Sequence, residues 1–67
     1  MSRTMPQELS LVTLRESLPA VGLAAGAVGT VLEVLRDGHV LVEFADEMGQ
    51  PIAELVLARD QIAPHGL

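Results

Sequence analysis

The chain has no cysteine, tryptophan, tyrosine or lysine, and Phe44 is its only aromatic residue. Each absence removes a kind of chemistry. Without cysteine there is no disulfide to staple a small domain, no thiolate nucleophile and no thiolate metal ligand. Without tyrosine and tryptophan, the aromatic grooves that grip polyproline and the cages that hold methylated lysine cannot be built. Without lysine, four arginines stand against nine acids, a formal net charge of -5. That balance opposes nucleic acid and anionic membrane surfaces, which reward clustered basic side chains, and it favours a basic partner. Long apolar runs are missing too. The longest, residues 21–35, is broken by three glycines and carries Glu33 near its end, short of the ~18 apolar residues that span a bilayer. Residues 1–8 hold an arginine with no apolar run behind it, unlike a secretory leader. The expectation is a cytoplasmic protein.

What is present is aliphatic. Hydrophobic residues make up 49% of the 67 positions, so the core must be built from Val, Leu, Ile and Ala, which suit the narrow interior of a small barrel. A chain of this size forms one domain and buries only about 60% of its unfolded surface. The apolar share therefore raises the expectation of a second copy or a bound partner.

The clearest local signal lies in residues 28–44, VGTVLEVLRDGHVLVEF. Two β-rich runs flank Asp37-Gly38, and glycine supplies the positive φ that such a hairpin turn demands. Around it the spacing predicts a first strand over Leu9–Leu14, with a helix continuing to Leu18 as the competing reading, since leucines also recur at helical spacing there. An apolar loop with one proline and two glycines follows over Leu18–Ala27. It is expected to fold back and bury Leu18, Val21 and Leu23, with Gly22 and Gly26 in turn positions. The second strand spans Val28–Leu35, the third His39–Phe44 and the fourth Pro51–Leu57, where proline is tolerated at the first position. A single 3₁₀ turn over residues 58–61 and a closing strand, Ile62–Pro64, complete the chain. The expected fold is all-β, a five-stranded SH3-like barrel over residues 9–64, with an N-terminal arm over 1–8 and a tail over 65–67.

Several short stretches also resemble a known family. Leu18-Pro19, Gly22-Leu23, Gly26, Gly29-Thr30-Val31, Asp37-Gly38, Val42-Glu43-Phe44 and Asp60-Gln61-Ile62 together resemble the small bacterial proteins grouped as domain of unknown function 4926. The resemblance runs over residues 9–64. It departs at Ala24, Ala25 and Ala27, where family members often carry lysine or an acid. It implies an SH3-like barrel and no catalytic residues. Such genes sometimes resemble partners of toxin or enzyme genes, which implies an inhibitory, immunity-type or accessory role.

No catalytic, cofactor or metal site is expected from the residues themselves. His39 and His65 could act as ligands only if other donors converged on them. Ser2, Ser10 and Ser17 have no histidine nearby in sequence to act as a base. Gly22, Gly26 and Gly29 lack the spacing of a phosphate loop, and no lysine follows them. Glu33, Glu43 and Glu54, one on each central strand, read as markers of the solvent face, because burying a charge is costly.

Strict alternation from those three glutamates assigns Val31, Glu33, Leu35, Leu41, Glu43, Ile52, Glu54 and Val56 to one outward face. An outward face has no use for five aliphatic residues unless something covers them. The apolar loop or the N-terminal arm could do so, or a bulge in the second strand could turn Val31 inward. The remaining reading is a protein-binding face with an acidic rim, open to a basic protein or a second copy. A nucleic-acid-associated small barrel is the alternative, and the net charge opposes it.

Overall fold

The computed structural model describes residues 9–66; the arm over 1–8 and the last residue of the tail lie outside them. Five strands form one antiparallel sheet: β1 (Leu11–Leu14), β2 (Val28–Val34), β3 (Val40–Ala45), β4 (Pro51–Leu57) and β5 (Ile62–Pro64). Their order is β4-β3-β2-β1-β5, so the last strand returns to pair with the first. One 3₁₀ turn, Arg59–Gln61, precedes β5, as the sequence predicts. A second, Pro19–Val21, lies in the long loop, where none was expected. The helical alternative for residues 9–18 does not occur, since β1 pairs on both sides, with β2 and with β5.

Turn chemistry explains the connections. Gly38 has φ 93°, and the Asp37 carboxylate accepts the backbone N–H of His39 at 3.0 Å. That bond, with the His39 ring 3.1 Å from the same oxygen, holds the Asp37 carboxyl below the usual aspartate range. In the β3–β4 connection, Asp46 Oδ1 accepts two N–H groups, from Met48 and Gln50, each at 2.9 Å. The long loop is closed by a two-way backbone pairing of Leu18 with Leu23, and Ser17 Oγ accepts the N–H of Ala25 at 3.2 Å. Before β5, the Gln61 side chain accepts the N–H of Ala58 at 2.8 Å and so holds the 3₁₀ turn in place.

Inward residues of all five strands build one core: Val12 and Leu14 from β1, Val31 from β2, Val40, Val42 and Phe44 from β3, Leu57 from β4 and Ile62 from β5, with Leu23 from the loop. Gly29 sits directly across from Phe44. A Cβ at Gly29 would lie 2.6 Å from Val42 Cγ1 and 2.9 Å from Phe44 Cε1. The bare backbone thus makes room for the Phe44 ring, which gives the Gly29-Thr30-Val31 run a packing role.

The strand ends differ slightly from expectation. β1 starts at Leu11, because Leu9 adopts a left-handed φ of 67°. β2 stops at Val34, β3 begins at Val40 and β3 runs on to Ala45. The loop buries Leu23 and half-buries Leu18, but Val21 stays exposed, because its 3₁₀ turn lies on the surface. His65, expected in the tail, continues the β1 pairing: its N–H donates to the Leu11 carbonyl at 3.2 Å.

Candidate functional site

The decisive local feature is a bulge in β2. Val31 pairs with Val42, while Glu33 pairs with Leu41, so Leu32 is an extra residue with no partner on β3. One extra residue reverses the alternation on one side of it. Val31 therefore faces inward and is fully buried, at 0% exposure. Its expected place on the outward face is corrected, and the bulge named as an alternative is the reason. Thr30, which unbroken alternation from Glu33 would turn inward, faces outward instead, across from Glu43. Leu35 lies past the end of β2, half-buried, where it exchanges backbone hydrogen bonds with Gly38 and His39 in the hairpin turn.

The other six residues share the outward face of β2, β3 and β4. Two cross-strand rows define it. One runs Glu33, Leu41, Val56; the other runs Leu11, Thr30, Glu43, Glu54. Ile52 stands at a second bulge, between the Phe44–Ala53 and Ala45–Pro51 pairs. Leu41 and Glu43, on β3 between β2 and β4, are half-buried; Glu33 and Glu54 are exposed. Ile52 is 48% exposed and Val56 56%. The long loop does not cover them. It returns to β1, where Leu14 and Ala27 hydrogen-bond, and it inserts Leu23 into the core. Sequence reasoning missed Leu11 and Thr30 as members of this surface, because only the bulge brings Thr30 outward.

Glu43 and Glu54 lie directly across from each other. Like charges in that position repel, and no ion pair with an arginine relieves either one among the described residues. The centre of the face is therefore an acidic pair set between exposed aliphatic side chains.

The candidate ligating and catalytic residues are scattered. His39 is occupied by Asp37. His65 Nδ1 lies 3.1 Å from Thr13 Oγ1. Ser17 caps the loop. Ser2 lies outside the described residues. No group of three or more His, Asp or Glu side chains is placed to hold a metal among the described residues. Gly22 and Gly26 take positive φ of 76° and 95° as turn residues. No helix among the described residues is long and apolar enough to cross a membrane.

Among known families, the model described as Domain of unknown function (DUF4926) matches residues 8–64. Neither the curated proteins nor the solved structures compared with the chain give a match.

Proposed function

The chain belongs to the DUF4926 family, and on that premise we propose that it is a small non-catalytic binding module, an SH3-like barrel that docks a basic protein as an accessory subunit or inhibitor. The observation that carries this reading is the outward face of β2, β3 and β4. Ile52 and Val56 are about half exposed there, beside an acidic pair that no cation among the described residues neutralises. A partner that covers a few hundred Å² of apolar surface gains several kcal/mol gross at ~25 cal/mol per Å², before the costs of association. Basic side chains around that contact would relieve the Glu43–Glu54 repulsion. A second copy docking on the same face would instead add its own glutamates to that pair, so the charge favours a different protein.

The test compares the wild-type chain with an Ile52→Glu, Val56→Glu variant. Both positions are exposed, so circular dichroism should show the variant folded. We expect the wild type to retain a basic protein that, once purified, binds the wild type at least about 10-fold more tightly than the variant. Equal binding of the purified partner to both forms would overturn the reading. So would light scattering that shows a stable homodimer dissociated by the two substitutions.

A further inference from the structure

We propose that the free edge of β4 accepts an extended segment of a basic protein as a sixth strand, with an arginine or lysine beside Glu54 and aliphatic residues two positions to either side. The inference rests on the docking reading above and specifies how the partner binds. Among the described residues, β4 ends the sheet and pairs only with β3. No backbone hydrogen bond of residues 51–57 outside the sheet ladder occurs among the described residues. In an antiparallel edge strand, alternate residues turn their N–H and C=O groups away from the neighbour, and those groups form a ready template for another strand. Pro51 and the bulge at Ile52 interrupt the start of this edge. From Ala53 to Leu57 the pairing with β3 runs without a break in register.

Two further observations point to a strand as the occupant. On the inward side, Phe44 and Val42 are 1% and 0% exposed, yet their β4 partners Ala53 and Leu55 are only half-buried. The core layer is complete through β3 and incomplete at β4, and a further strand would cover it. On the outward side, the row Leu11, Thr30, Glu43, Glu54 ends in two adjacent acids. The next position in that row belongs to the incoming strand, and a cation there meets Glu54 directly with Glu43 behind it. The neighbouring outward positions face Ile52 and Val56 and call for aliphatic residues. The two positions between them turn inward beside Ala53 and Leu55 and call for small or β-branched residues. Two copies of β4 do not satisfy this pattern. A two-fold axis at Glu54 sets that acid against itself, and one at Leu55 sets it against Val56.

The probe is the blocked peptide Thr-Val-Thr-Arg-Thr-Val-Thr, with a control carrying glutamate at the centre, titrated into the isotope-labelled chain. We expect saturable binding of the arginine peptide that is about 10-fold tighter than that of the control and diminished in high salt. Amide hydrogen exchange should slow at alternate residues between Ala53 and Leu57, and Glu54→Gln should cut the preference to about 3-fold or less. Shifts of the Ile52 and Val56 methyl groups with unchanged exchange of the β4 amides would overturn strand addition while leaving face docking intact. Equal affinity for the two peptides, or no binding at millimolar concentration, would also overturn it. Neither result touches the comparison of purified partner with the Ile52→Glu, Val56→Glu variant, so the two readings fail separately.

Discussion

β3 and β4 lie side by side, are comparably apolar and alternate in the same sense, yet they fare very differently. In β3, Val40, Val42 and Phe44 are essentially sealed from solvent. In β4, of the residues paired with them, only Leu57 is buried; Ala53 and Leu55 remain half-exposed. Among the described residues, β3 is flanked on both sides, while β4 has one neighbour. A side chain on a sheet is covered by neighbours in its own layer as well as by the layer above it, so an edge strand with good alternation still shows its apolar atoms to water. The contrast separates the region that holds the fold together from the region left open to solvent.

The sharpest way to break the comparison is to truncate one residue in each strand. Phe44→Ala should cost about 3–5 kcal/mol by urea unfolding, since it empties the centre of the core. Val56→Ala should stay within about 0.5 kcal/mol. Similar losses at the two sites would mean that Val56 is packed rather than open to solvent. A smaller but still sizeable effect is expected at the position opposite Phe44. Gly29→Ala forces a Cβ against two immobile core side chains and should destabilise by about 1–3 kcal/mol. A compensating Phe44→Leu change should recover part of that loss; no recovery would point to the closer contact with Val42 Cγ1 rather than the contact with the ring. The mildest effect tests the edge. Glu54→Arg turns the repulsive pair with Glu43 into an attractive one and should stabilise the chain by about 0.2–1 kcal/mol. The gain should shrink in high salt, and a Tm shift that ignores salt would contradict the electrostatic account of the face.

Much of this was legible from residue order. Asp37-Gly38 and the Asp46–Gly49 segment mark the two hairpins through local side-chain-to-backbone bonds that need no distant contact. The β4 span and the turn before β5 follow from Pro51 and from residues 58–61 in the same local way. Six of the eight residues assigned to the outward face do point outward. Val31 failed because strict alternation assumes an unbroken ladder, and the sequence LEV carries no residue that announces a bulge at Leu32. Thr30 and Leu11 were missed for the same reason, since both belong to the row that the bulge turns outward. His65 looked like a loose end in sequence, and only the return of β5 to β1 placed its backbone within reach of Leu11.

Composition and local pattern by themselves determined that this is a small aliphatic β domain with tight Asp-Gly turns, acidic overall and poor in chemically reactive side chains, because those properties depend on residue type and near neighbours alone. Which β-strand would lie at the sheet's edge, where β2 would slip by one residue, and which acids would meet across β3 and β4 were decided only by tertiary structure. Those outcomes depend on pairings between residues far apart in the chain, and such pairings are selected by how the whole core packs.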